Sequence, residues 1–146
     1  MKRIIFSALI LLSATAVKAQ STWNTYNQNG YNIELPDYIL PVKSEDPSTD
    51  IFTNTNNKDI TLKIENKPTD KLSFNSKYIS EIGNGGVSYK LIKDSVYTVV
   101  YTTNDIINYH KSFFSNGMIH SLIITYPNKQ KTQFDLVLQR IGRSFK

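Results

Sequence analysis

Cysteine is absent from all 146 residues. No disulfide, thiolate metal site or thiol nucleophile is therefore available, and stability has to come from packing and hydrogen bonding. Histidine occurs only at positions 110 and 120. No His-x-His or Glu-x-x-His spacing arises from them, so no metal site is expected. Also missing are a Gly-x-Ser-x-Gly nucleophile elbow, a phosphate loop and a dinucleotide fingerprint. Gly83-Asn84-Gly85-Gly86 looks like a phosphate cradle, but it leaves a predicted helix and enters a predicted strand, whereas phosphate sites open a helix. Carboxylates are not paired for acid–base work. Glu45-Asp46 lies in a solvated loop between prolines, and Asp59 and Glu65 stand at opposite ends of one strand. Glu45, Asp46 and Asp50 would be the oxygen donors for calcium, without the spacing of an EF-hand. No catalytic residue and no cofactor follow from the sequence.

Long apolar runs are also lacking. The one at Ile4–Leu12 is too short to span a bilayer, for which about 20 apolar residues are needed. Lys2 and Arg3 precede it, and Val17-Lys18-Ala19 supplies small residues behind it, the order of an export signal cleaved after Ala19. Cysteine does not follow that site, so a diacylglycerol anchor is excluded. Removing 1–19 takes away Lys2, Arg3 and Lys18. The 17 basic residues become 14 against 12 acidic, and the formal charge of +5 falls to +2. A nucleic-acid partner would require a dense basic stripe, which is missing. Charge is nonetheless uneven: Glu34–Asp50 is acidic and Lys129–Lys146 basic, which reads first as solvated surface and otherwise as segments that attract each other or partners of opposite sign.

What is abundant is β-branched and aromatic sequence. Val87–Lys93, Val96–Thr102, Ile106–Phe114 and Met118–Tyr126 read as a four-stranded antiparallel meander with turns at Lys93-Asp94-Ser95, Thr103-Asn104-Asp105 and Asn116-Gly117. Asn-Gly suits a type I′ turn, which places Ser115 opposite Met118 and Phe113 opposite His120. The two histidines then fall on opposite faces, His120 packed at the core edge and His110 exposed beside Lys111. Both faces carry large apolar residues, so both require a cover.

Two helices are available for that. Asn128–Phe145 sets Phe134, Val137, Leu138, Ile141 and Phe145 at helical spacing, with its start at Pro127 or Asn128. Asp70–Ile82 sets Leu72, Tyr78, Ile79 and Ile82 on a stripe, with Gly83 as a left-handed cap. Upstream, Ser21–Gly30 is polar apart from Trp23 and Tyr26, and Tyr31–Leu35 reads as a short strand stopped by Pro36. Leu40–Asp50 reads as a loop. Ile51–Thr55 and Asp59–Glu65 read as a hairpin whose second strand, dry on one side only, belongs at a sheet edge.

The order is strand and proline, hairpin, helix, meander, closing helix. With Gly30-Tyr31-Asn32-Ile33 to Pro36, Tyr109-His110-Lys111, Tyr126-Pro127 and Ile141-Gly142-Arg143-Ser144-Phe145, it resembles the PsbP-like fold. That fold occurs in the PsbP subunit of photosystem II, in DcrB-type bacterial envelope proteins and in a yeast nuclear-transport factor for Ran. The resemblance spans nearly all of residues 20–146 and implies one α+β domain, an antiparallel meander flanked by helices in an α/β/α sandwich. It implies interaction or assembly more than catalysis.

The expectation is therefore an exported, non-enzymatic envelope or secreted module, periplasmic or extracellular, that binds a protein partner. The alternative is a carrier or sensor of a small apolar ligand held between sheet and helix, and an enzyme of unrecognised type is the third reading. The tyrosines of the meander suit an interface, and the candidate partner surface is Tyr101, Tyr109, His110 and Lys111. Asp94-Ser95-Val96 resembles the acceptor of bacterial O-glycosylation and makes Ser95 a candidate modification site.

Overall fold

The computed structural model describes residues 21–83 and 85–146, so the export signal inferred at Met1–Ala19 lies outside the described residues. The chain opens with a hairpin of β1 (Trp23–Gln28) and β2 (Tyr31–Pro36). Its turn is Asn29-Gly30, with φ of 51° and 84°, the positive values of a type I′ turn. Then come β3 (Ile39–Val42), β4 (Thr49–Asn54), β5 (Thr61–Pro68) and α1 (Lys71–Ile82). The meander follows as β6 (Val87–Lys93), β7 (Val96–Thr103), β8 (Ile106–Ser115) and β9 (Met118–Pro127), and α2 (Lys131–Ser144) closes the fold.

β3 to β9 form one antiparallel sheet in the order β3-β4-β5-β9-β8-β7-β6. The Asn116-Gly117 turn has the φ values of a type I′ hairpin, 51° and 73°, and Phe113 stands opposite His120 as its register requires. A front-face row runs Phe52, Leu62, Ile124, Tyr109, Val100, Tyr89 across the sheet. Over its first half lie α2 and the β1–β2 hairpin, which bury Ile33, Leu35, Leu122, Ile124, Ile141 and Phe145 completely. Each such side chain contributes about 1.5–3 kcal/mol by leaving water. On the reverse face α1 seats Phe74 against Tyr97, Val99 and Ile119. The two covers are thus displaced along the sheet, and among the described residues no helix lies over the front of β6–β7.

Four local expectations are corrected. β5 is an inner strand between β4 and β9, and the edges are β3 and β6. Its outward side is wet because no helix of the described residues covers the reverse face there: Lys63 and Lys67 stand exposed beside Glu65. Leu40–Asp50 is not all loop, since Ile39–Val42 pairs with β4 and Pro41 is tolerated on an edge. The stripe on α1 is Phe74, Tyr78 and Ile82, while Leu72 and Ile79 are 76% and 63% exposed. Gly83 keeps a right-handed φ of −75°, donating to Ile79 and Ser80 carbonyls. The positive φ falls instead on Gly86, at 75°, where a Cβ would sit 2.5 Å from the Thr102 carbonyl.

Asp70 caps α1 by accepting from the Ser73 amide at 2.7 Å. α2 starts later than Pro127 or Asn128, because Asn128–Gln130 forms a 3-10 turn first and Asn128 donates to Asp105 rather than capping. Arg140 on α2 pairs with Glu34 on β2 at 2.9 Å, so the acidic and basic segments do meet within the fold.

Candidate functional site, a groove between α2 and the sheet edge

Where the front of β6–β7 is uncovered, the sheet and the flank of α2 enclose a groove of about 1040 Å³. Register builds its floor. Tyr89, Val100 and Tyr109 lie side by side across three strands, as do Leu91, Thr98 and Lys111. Leu138 and Gly142 of α2 form the wall. Gly142 is required there: a Cβ would meet the Tyr109 hydroxyl oxygen at 2.4 Å. The missing side chain lets the Tyr109 ring slide under the helix, where burial pushes its phenol up to about 12. Tyr89 and Leu91 are each 50% exposed, so the outer side is open to solvent.

The two ends differ in charge. At the N-terminal end of α2, Lys131 is paired with Asp135, which also accepts from the Tyr126 hydroxyl. At the C-terminal end stand Lys93, Lys111 and Arg143, with Asp94 the nearby acid lining the groove. Lys111 donates to the carbonyls of Gly142 and Phe145 at 2.7 and 2.8 Å, a side-chain cap on the negative end of the helix. Burial lowers the pKa of its ammonium.

The four residues expected to share a partner surface are divided by the pleat. Tyr109 and Lys111 belong to the groove, Tyr101 and His110 to the reverse face. His110 is not exposed, its side chain retaining 14% accessibility under α1 beside Glu81. Its Nδ1 lies 3.2 Å from Glu81 Oε2, off the line of a hydrogen bond, and its Nε2 is 3.5 Å from the Tyr101 hydroxyl. Tyr97 donates to the other Glu81 oxygen at 3.0 Å. Glu81, His110 and Tyr101 do not line the groove. Sequence spacing missed this cluster because Glu81 comes from α1, and helix-to-sheet register is not written in either segment alone.

His120 is buried with Phe113 stacked on it at 4.6 Å between ring centres. Its Nδ1 is 2.8 Å from Asn66 Oδ1. Asn66 in turn donates to Asp50, which also accepts from the Tyr31 hydroxyl and from Asn29. Asp50 is therefore engaged by three side-chain donors, and Asp46 by Ser48 and Thr49. Among the described residues no group of three His, Asp or Glu side chains is placed to hold a metal ion. Burial lowers the His120 pKa. The unfolded imidazole titrates near 6.5, so the unfolded chain takes up its proton first. Stability is then full above that pH and falls as pH drops through it, by at most about 1.4 kcal/mol per unit. Urea midpoints at pH 7.5 and 5.5 check this; His120→Gln should flatten the difference.

Ser95 lies in the β6–β7 turn, half-buried, and its hydroxyl accepts from Lys71 at 2.9 Å.

A seven-stranded antiparallel sheet with a hairpin and a helix on one face and a second helix on the other defines an α+β fold of the PsbP-like type. Comparison with solved structures shows the same. Cyanobacterial PsbP (CyanoP) from Synechocystis superposes with a TM-score of 0.66 at 12% identity, over 92% of this chain and 98% of that one. A crystal structure from Bacteroides thetaiotaomicron matches with a TM-score of 0.55 at 7% identity. That match covers 80% of this chain but 44% of the larger protein. By sequence, no family model and no curated protein matches. Among the described residues no helix is long and apolar enough to cross a membrane.

Proposed function

We propose that this protein is a non-enzymatic binding module, exported to the periplasm or medium, that carries or senses a small apolar ligand in the α2–β6 groove. The groove itself supports this reading: a recess of ligand size whose floor presents Tyr89, Leu91, Val100 and Tyr109 between polar and charged neighbours. Leu91 is at its open side, and a charge there would leave the core untouched. Nile red, a neutral apolar dye, should bind the wild type with blue-shifted emission. Leu91→Glu should weaken it by about tenfold or more, the worth of placing a charge against an apolar ligand, at unchanged melting temperature. Equal binding by the variant would remove the groove from the function.

One observation favours a protein partner as the second reading. Among the described residues β6 is a free sheet edge, with Ile92 and Tyr89 exposed on its two faces, a template for an added strand. On that reading Tyr109 and Lys111 would be met in the groove and Tyr101 from the reverse side, while His110 stays covered by α1. A protein that co-elutes with the wild type and is lost with Ile92→Glu would support it. Glycosylation of Ser95 would need the hydroxyl released from Lys71, and an intact mass of the native protein equal to the bare chain would dismiss it.

A further inference from the structure

We propose that the ligand of the α2–β6 groove is a single-chain amphiphile with an anionic head, its chain lying on the sheet and its head at the Lys93–Lys111–Arg143 end. This rests on the reading of the groove as a ligand site and adds the ligand's chemistry. The cations are gathered toward one end of the groove: Lys93 stands beside Val96 and Lys111 beside Thr98, while Tyr89, Val100 and Tyr109 lie beyond them. Tyr89, Leu91 and Val100 lie on two neighbouring strands in register. Along β7 the floor beyond the level of Lys111, from Thr98 to Thr102, extends about 13 Å at roughly 3.3 Å per residue, room for a medium-length alkyl chain rather than for a compact metabolite.

The charge at the C-terminal end of α2 selects the head. Lys111 is half-buried, and its hydrogen-bond partners are two neutral carbonyls. No carboxylate pairs with Lys111, Lys93 or Arg143 among the described residues. Two of the three ammonium hydrogens of Lys111 are used, and the third is available to an acceptor. A half-buried cation beside an apolar surface is stabilised by an anion that brings its own apolar tail. The opposite end holds a neutralised Lys131–Asp135 pair, so the groove has a direction and a cationic or uncharged head gains nothing from it.

The test is calorimetric titration of the purified protein with dodecanoate, dodecyl sulfate, dodecyltrimethylammonium and dodecyl maltoside, each below its micellar concentration. Both anions should bind at least about tenfold more tightly than the other two, the worth of one charge-assisted hydrogen bond. Arg143→Gln and Lys93→Gln, on exposed side chains, should each remove most of that preference at unchanged melting temperature. Lys111→Met should do the same wherever it still folds. Equal binding of all four detergents, or anion preference untouched in the exposed variants, would overturn the anionic head while leaving the groove as a ligand site. Binding of none, together with Nile red binding unaffected by Leu91→Glu, would overturn the groove as well. A preference for dodecyl sulfate over dodecanoate would support the proposal and assign the head to the sulfate or phosphate type, and the reverse preference would support it with a carboxylate.

Discussion

Phe145→Ala should lower the unfolding free energy by about 3–5 kcal/mol, the range for removing a buried aromatic ring, and should be the most damaging single truncation in the front core. Phe145 is wholly inaccessible. Its ring lies 5.8 Å from Tyr31 and 5.1 Å from Phe113, so it joins β2, β8 and the end of α2. Beside it Lys146 exchanges two backbone hydrogen bonds with Asn32, and the Ser144 hydroxyl accepts from the Glu34 amide at 2.8 Å. These polar ties hold only while the ring fixes the chain's direction. Urea denaturation gives the direct measure. A loss below about 1 kcal/mol would mean that neighbouring side chains collapse into the space.

Phe74→Ala is expected to cost a similar amount, about 3–5 kcal/mol, but to act differently. Phe74 is the one fully buried residue of α1, and it packs on Tyr97 and Phe114 at 5.1 and 6.1 Å. Without it α1 retains the partly covered Tyr78 and Ile82 and the Lys71 contacts to the β6–β7 turn. A helix this short does not persist unsupported. Hydrogen exchange should therefore accelerate in Lys71–Ile82 before it changes in β8 and β9, by local opening. Uniform acceleration through the sheet would show instead that α1 is part of the global unit. The front-face groove lies on the other side of the sheet, so Nile red binding should survive in Phe74→Ala.

The meander was legible because its turn chemistry and its strands agree: Asn116-Gly117 alone determines which residues of β8 and β9 share a face. The same dipeptide at Asn29-Gly30 marks the β1–β2 hairpin, but β1 shows little apolar alternation, its burial being confined to partial cover of Trp23 and Tyr26. That signal was present and was overridden by composition. Placing β5 at an edge failed for a different reason. One-sided wetness reports what covers a face, and strand position is set by pairing with β9, more than fifty residues away in sequence. Leu72 and Ile79 matched the helical period, yet Phe74 was chosen by the shape of the opposing sheet. The groove was hidden for the same reason. Its floor is visible as alternation in β6 and β7, but its depth depends on where α2 lands and on a glycine at position 142 that admits Tyr109.

β9 is the one strand joining β3–β5 to β6–β8, and it is next to last among the elements. During synthesis the chain carries two half-sheets, each with an open border, that cannot merge until β9 and then α2 have left the ribosome. Closure waits for a contact of long sequence separation, which is slow. A nascent polypeptide of this topology stays threadable until β9 has emerged.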